Sequence, residues 1–354
     1  MIVQGKSKIQ NYSLLIIFFL VFFVADVLIA DDEDDQEISD TVNKNCGAHK
    51  FLVAGHIYGN YKNDESIYPS SSFLANIDTI NKYSSSFLVL LGDSYQKPTI
   101  AYIEAFKASV IDKIDVPIYS VIGNHESVDR SVYAKIFGDT YFSFSYCKNL
   151  YIFIDSEESE YSHFSDNQLE FLQTKLQTLQ DVKNVFIFSH KLIWASQENE
   201  YQPVWNAMNV RGKQADYGYY TSNIKPFIDE IPKKNPVYFI SGDIGLLSPE
   251  TVFYDKNDHV SYIATGLGDR SDDNILAVSI TAENNVDIDV IPLAHESARD
   301  ITSYGLSAWS VDKYPDLSKS IYRYLRLLLK ALFLMIIGGF IGFWCRDYYI
   351  KKTY

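Results

Sequence analysis

The sequence predicts an α/β fold in which two sheets pack together with helices on the outside. Short apolar runs of strand length recur along the chain, in the first half they alternate with segments of helical spacing, and the last third is strand-rich. The alternation indicates parallel strands with crossover helices, and the strand-rich end adds to a second sheet. With 354 residues, 47% of them hydrophobic, the chain can bury a large core.

The first half supplies three strand-like runs with helical segments between them. The runs are residues 50–55 (KFLVAG), 86–93 (SFLVLLGD) and 116–124 (VPIYSVIGN). Residues 70–83 place Phe73, Ile77 and Ile80 at helical spacing, and residues 100–114 repeat that pattern. Each run ends in small or polar residues, which is typical of a buried parallel strand that opens into a loop.

The second half is richer in strands. Residues 140–156 alternate polar and apolar side chains on both sides of a turn at Cys147, which predicts an antiparallel hairpin. Residues 165–179 start with the capping residue Ser165 and space four leucines along one helical face. Further strands are expected at 182–191, 235–245, 260–268, 274–281 and 286–293, with a short helix at 223–231.

The charge balance excludes one class of partner. The formal net charge is −14, and neutralising nucleic-acid phosphates requires clustered Lys and Arg. We therefore expect no nucleic-acid partner.

Two apolar segments stand apart from this composition. Residues 12–30 are long enough for the roughly 20 apolar residues of a membrane span, and they are either an uncleaved signal anchor or a signal peptide. Residues 327–345 are apolar on all sides, which favours a transmembrane helix over a buried core helix. Lys6 and Lys8 precede the first segment, whereas no Lys or Arg lies between Ala30 and Val42 after it, which places the N-terminus in the cytoplasm and the main domain outside.

These segments define the expected domain organisation. In chain order it is an N-terminal anchor or signal peptide (1–30), an acidic linker (31–49), the α/β domain (50–295), a juxtamembrane segment (296–326), a transmembrane helix (327–345) and a short basic tail (346–354). Cys46 and Cys147 are either a disulfide, as an oxidising compartment would allow, or two separate buried thiols.

Polar residues follow five of the predicted strands. The stretches are GHIYGN at 55–60, GDSY at 92–95, GNHE at 123–126, SHK at 189–191 and GDIG at 242–245. Ligand sites of α/β sheets form at the carboxyl ends of strands, so the five loops are expected to converge. Carboxylate, amide oxygen and imidazole together suit Mn, Fe or Zn ions.

On the stretches LLGDSY, VIGNHE and IFSHK, the chain resembles the calcineurin-like metallophosphoesterases from about residue 50 to 293. The resemblance implies a four-layer α/β/β/α sandwich, divalent metal ions and hydrolysis of phosphoric esters. It implies that Asp93 bridges two metals and that Asn124 and His190 bind the second. It further implies that His125 contacts the phosphate and protonates the leaving group, while Glu126 holds its loop.

The first and last motifs depart from the family pattern. Where the family has an Asp and then a His, this chain has His56 and Tyr58, and where it has Gly-His-x-His, this chain has Asp243 and Gly245. The first metal thus loses ligands, whereas the second keeps Asp93, Asn124, His190 and Asp243. We expect at most one well-formed site, holding Mn, Fe, Zn or, because Asp243 replaces a histidine, Mg.

Three interpretations stay open. The protein is a divergent hydrolase with one metal, or with His56 recruited as an unusual ligand; or it is an inactive relative that binds a phosphorylated small molecule or a protein; or the loops only support the fold. Arg270 is a candidate phosphate clamp or part of a solvated loop, and Tyr58 is a candidate substrate contact.

Overall fold

The computed structural model describes residues 47–60, 66–196, 198–209, 215–294 and 297–310, together with Leu325 and Leu328. The apolar segments 12–30 and 327–345 lie outside these residues apart from Leu328, and Cys46 lies outside them entirely. The membrane spans and the disulfide therefore stay predictions. No helical segment within the described part of the chain has the length and apolarity that a bilayer span requires.

The described residues form two sheets. The strands are β1 (His49–Ala54), β2 (Phe87–Leu90), β3 (Ile118–Ser120), β4 (Phe142–Tyr146), β5 (Asn149–Phe153), β6 (Asn184–Ser189), β7 (Val237–Ser241), β8 (Val252–Asn257), β9 (Val260–Thr265), β10 (Asn274–Ile280) and β11 (Val286–Pro292). The first sheet has the order β11-β10-β1-β2-β3, and the second has the order β4-β5-β6-β7-β9-β8. In the first sheet β1, β2 and β3 are parallel, and β10 and β11 add antiparallel strands on one side. In the second sheet β5, β6, β7 and β9 are parallel, and β4 and β8 are antiparallel strands at the two edges.

Short helices connect and flank the strands. They are α1 (Ser71–Leu74), α2 (Ile77–Lys82), α3 (Ile100–Phe106), α4 (Arg130–Phe137), α5 (Asp166–Gln177), α6 (Gln202–Trp205), α7 (Tyr217–Tyr219), α8 (Lys225–Asp229) and α9 (Leu306–Trp309). The segment predicted as one helix at 70–83 is divided into α1 and α2. The break is at Asn76, whose side-chain amide donates to the carbonyls of Ser72 and Leu293.

Three apolar clusters hold the layers together. Between the sheets, Phe51 of β1 packs edge-on against Phe186 of β6, with ring centroids 5.2 Å apart. The outer face of the first sheet packs against α1 to α3, for example through Phe106. The outer face of the second packs against α5 and α8, for example through Leu172. The inner strands, such as β2, β5 and β6, are therefore buried on both faces, which explains their nearly continuous apolar sequences. The order of layers is α/β/β/α, as predicted.

Candidate metal centre

The loop that carries Asp93 is held in place by Glu126. The carboxylate of Glu126 is buried and accepts hydrogen bonds from the backbone N–H groups of Asp93, Gly123 and Ser94, at 2.9, 2.9 and 2.6 Å. A Cβ atom on Gly123 would lie 2.4 Å from the backbone nitrogen of Asp93, so only glycine permits this approach. Glu126 thus joins the loops after β2 and β3, a wider role than the predicted support of the His125 loop.

Asp93 lies at the centre of three imidazoles. Its Oδ2 atom is 3.5 Å from Nε2 of His190, 3.7 Å from Nε2 of His56 and 3.9 Å from Nε2 of His125. Asp93 is almost fully buried, which opposes ionisation, but its neighbours, above all the His190 imidazole, hold its pKa below the usual value.

His190 directs its Nε2 atom toward three oxygen atoms. Its Nδ1 atom donates to the carbonyl of Leu91 at 2.8 Å, which directs Nε2 toward the other ligand candidates. Nε2 lies 3.0 Å from Oδ1 of Asn124, 3.5 Å from Oδ2 of Asp93 and 3.9 Å from Oδ1 of Asp243. Burial alone would lower the pKa of His190, but the carboxylates of Asp93 and Asp243 raise it to about 10.

Asp243 is a buried carboxylate without hydrogen-bond donors. Both of its carboxylate oxygens are buried, and neither has a hydrogen-bond partner within the described residues. The backbone N–H of Asp243 donates to the carbonyl of His190 at 3.0 Å, which holds the two residues together. Burial raises the pKa of Asp243 to about 7. A buried carboxylate without a partner is costly, and a bound cation would remove that cost.

The structure therefore brings together four of the predicted ligands. One ligand atom from each of Asp93, His190 and Asp243 lies within 4.8 Å of the other two, and Asn124 Oδ1 approaches the same face of His190. All four side chains can offer electron pairs to a cation once Nε2 of His190 gives up its proton. This donor set fits one divalent ion that accepts oxygen and nitrogen ligands.

His56 lies beside this cluster. Its Nδ1 atom donates to the carbonyl of Leu267 at 2.9 Å, and its buried Nε2 atom has no hydrogen-bond partner among the described residues. Burial lowers the pKa of His56 to about 4, so the ring is neutral at pH 7. His56 faces Asp93 but is not one of the three residues that share the 4.8 Å cluster.

Tyr58 and His125 follow His56 in a row of contacting rings. The ring of Tyr58 lies between His56 and His125, with centroid distances of 4.3 and 4.6 Å. Tyr58 is buried, whereas the His125 side chain is 27% exposed and is the accessible imidazole of the group. The Nδ1 atom of His125 donates to the carbonyl of Gln96 at 2.6 Å.

The departures from the last motif of the family, Asp243 and Gly245, lie on the loop after β7. Gly245 adopts φ 108°, and a Cβ atom there would lie 2.2 Å from the carbonyl oxygen of Gly266. Arg270 hydrogen-bonds to Asp272 and to the carbonyls of Gly245 and Ser248, so it holds this loop. None of the hydrogen bonds recorded for the Arg270 side chain reaches the ligand cluster, and its role as a phosphate clamp stays a prediction.

Sequence reasoning missed a second polar group beside the cluster. Glu157 and Lys191 form a buried ion pair, with Oε2 and Nζ 3.1 Å apart. They line a cavity of about 370 Å³ that also contacts Asn124. A signal for Glu157 was present, because it follows β5 in the stretch FIDSEES and so stands at a strand end like the other site residues.

Two phosphatases are among the solved structures that this chain resembles in fold. The crystal structure of a dimetal phosphatase from Danio rerio aligns over 72% of this chain and 99% of its own, with 14% identity and a TM-score of 0.51. The purple acid phosphatase PPD1 from yellow lupin (Lupinus luteus) seeds aligns over 72% of this chain and 53% of its own, with 12% identity and a TM-score of 0.53. At these identities the likeness concerns the fold alone. The sequence matches no protein-family model and, at a significant level, no curated protein.

Proposed function

Because this chain has the calcineurin-like metallophosphoesterase fold, as its motifs predicted, we propose that it is a hydrolase of phosphoric esters that works with one divalent ion. The ion would be held by Asp93, Asn124, His190 and Asp243. His125 would be the proton donor to the leaving group. Both solved structures named above are phosphatases, which supports the class of reaction.

The observation that carries this proposal is the group of unsatisfied acceptors. Neither buried oxygen of Asp243 has a donor among the described residues, and Nε2 of His190 faces one of these oxygens together with Oδ1 of Asn124 and Oδ2 of Asp93. Acceptor atoms repel each other at short range unless a proton or a cation lies between them. Two carboxylates among four ligands would also balance the charge of one divalent ion.

The ion would supply Lewis-acid stabilisation of a phosphate oxygen and lower the pKa of a water molecule. The protein's own contribution is the placement of His125. Because Nδ1 of His125 donates to the carbonyl of Gln96, a second proton on the ring must sit on Nε2. This nitrogen lies 3.9 Å from Oδ2 of Asp93, on a side chain that is 27% exposed, so a leaving-group oxygen can reach it.

One observation favours a second function, the binding of a phosphorylated ligand without turnover. The first metal position of the family has few ligands here. Gly245 has no side chain, and the ring of Tyr58 lies between His56 and His125. A protein with one metal could retain phosphate affinity while lacking an efficient means of activating water.

Metal analysis and a rate measurement on one preparation separate these functions. Purified protein would be loaded with Mn, Mg or Zn, analysed for bound metal, and assayed with an aryl phosphate monoester and diester. We expect one bound ion per chain and a metal-dependent rate. Bound metal without a rate above background would favour the binding function, and a protein that takes up none of the three ions would overturn both.

The location of the domain is a separate proposal, supported by the sequence alone. We propose that residues 12–30 and 327–345 tether the domain to a membrane, with its body on the extracytoplasmic side. Sedimentation of the full chain with membranes and protease digestion of intact cells test it. A chain that stays in the supernatant after cell lysis would contradict the tether.

A further inference from the structure

The cavity beside Asn124 has a strong acidic bias. Its lining includes Glu157, Glu158 and Glu160 but only one basic side chain, Lys191. The volume of about 370 Å³ is within the usual range for a small-molecule site. Because Asn124 belongs to both the cavity and the ligand cluster, a molecule in the cavity would lie next to the candidate metal.

Lys191, the one basic side chain of the lining, already has partners within the protein. The Nζ atom of Lys191 lies 3.1 Å from Oε2 of Glu157 and donates to the carbonyl of Glu160 at 3.2 Å. The Lys191 side chain is only 3% exposed, so it has little freedom to turn toward an anion. This arrangement argues against Lys191 as a phosphate clamp.

The second oxygen of Glu157 has no such partner. Its Oε1 atom is buried and accepts no hydrogen bond within the described residues, although the side chain is only 7% exposed. A buried carboxylate oxygen normally has a donor, and no described group of the protein supplies one here. Glu158 differs, since it accepts from Ser165 and from Gln168.

We propose that this cavity recognises the alcohol part of the phosphoric ester and selects alcohols that carry a primary amine, with the ammonium donating to Oε1 of Glu157. The assignment rests on the proposed phosphoester site, since Asn124 would place the phosphate at one end of the cavity. An ammonium satisfies the orphan oxygen and offsets the excess of carboxylates, whereas a hydroxyl would do only the first.

Two phosphonates test this inference without any turnover. 2-Aminoethylphosphonate and ethylphosphonate differ only in the amine, and their carbon–phosphorus bond is not an ester. Their affinities for the Mn-loaded full chain would be measured by titration calorimetry. We expect the amine to increase affinity by about tenfold or more, as a charge-assisted hydrogen bond allows. Equal affinities, or no binding of either compound, would overturn the inference.

Variants locate the effect at one residue. Glu157→Gln should bind both phosphonates with the affinity that wild type has for ethylphosphonate. Glu170→Gln, on the exposed face of α5, should keep the preference. A preference that survives in Glu157→Gln would contradict the assignment. Should Glu157→Gln fail to fold, the wild-type comparison still decides the question. A missing hydrolytic rate would count against the proposed function and leave this result standing.

Discussion

The Nε2 atom of His190 lies 3.0 Å from Oδ1 of Asn124, while the other ring nitrogen of His190 donates to the carbonyl of Leu91. A neutral imidazole in this position would set two lone pairs against each other. The contact is favourable only when Nε2 carries a proton or when both atoms bind a cation. The metal-free and metal-bound states of the protein therefore differ in the protonation of His190.

Asp243→Ala should abolish tight metal binding. Removing an outer partner of a ligand typically costs about 10- to 100-fold in affinity, so losing a ligand should cost at least about 100-fold. Titration with Mn would measure the loss. Asp289→Ala, at an exposed position of β11, is the control and should bind Mn as wild type does. Unchanged affinity in Asp243→Ala would remove this residue from the site.

His125→Gln should lower kcat while the metal content stays at the wild-type level. Loss of a general acid typically costs about 10²- to 10⁴-fold in rate. The control is His163→Gln, since His163 is an exposed histidine paired with Asp216. The two variants would be compared on an aryl ester and on an alkyl ester, whose poorer leaving group depends more on the acid. An equal loss on both esters would contradict the role of proton donor.

Glu126→Gln should destabilise the protein and weaken the metal site together. The carboxylate accepts from several backbone N–H groups, and an amide would direct its own N–H at some of them. Leaving a buried group unsatisfied costs about 1–3 kcal/mol, which denaturant unfolding would detect. Glu104→Gln on α3, where the side chain is exposed, should have little effect. A variant as stable as wild type would refute the clamp.

The metal-free protein should lose stability as the pH rises from about 7 to 9. Burial raises the pKa of Asp243 to about 7, and Asp93 raises that of His190 to about 10 against the effect of burial. An unfolded chain releases these protons near pH 4 and 6.5, so the folded state binds more protons throughout this window. The free energy of unfolding must then fall with pH.

Thermal unfolding between pH 7 and pH 9, with a chelator or with saturating Mn, would measure this dependence. The ion takes the place of the protons, so the decline should be smaller in Mn. Asp243→Asn should also reduce it, because its side chain does not titrate. A melting temperature in chelator that is constant or rises with pH would contradict the prediction.

Gly245→Ala should be more destabilising than Gly138→Ala. Both glycines have positive φ, at 108° and 84°, but a Cβ atom at Gly138 meets nothing within 4 Å, whereas one at Gly245 lies 2.2 Å from the carbonyl of Gly266. Backbone strain alone costs about 1–3 kcal/mol, and the clash adds to it. Denaturant unfolding of both variants would show the difference, and equal losses would contradict the steric argument.

Much of the fold could be predicted because a continuous apolar run in the sequence indicates a strand that is buried on both faces. Every predicted strand forms, and the β4–β5 hairpin turns at Cys147 as the alternation indicated. Strand β8 was missed since it ends in Asp255, Lys256 and Asn257, which are polar because the strand is at the edge of its sheet. Helix α4 was missed as well, because its only fully buried side chain is Tyr133.

The site was predictable where each residue type followed a strand, as for Asp93, Asn124, His190 and Asp243. The partners that orient them were not. The carbonyls of Leu91 and Leu267 orient His190 and His56, and any residue can supply a carbonyl. The orphan oxygen of Glu157 depends on the burial of one atom, for which the sequence has no pattern.

The pairing of β1 with β10 bears on how the chain acquires this site during synthesis on the ribosome. His49 of β1 pairs with Ile280, so one edge of β1 has no partner until β10 has been translated. Asp243 also emerges long after Asp93. A nascent chain that stalls before β10 would expose an unpaired, apolar strand edge, a common starting point for aggregation. Premature termination before Asn274, where β10 begins, should therefore yield insoluble product rather than a shortened active domain.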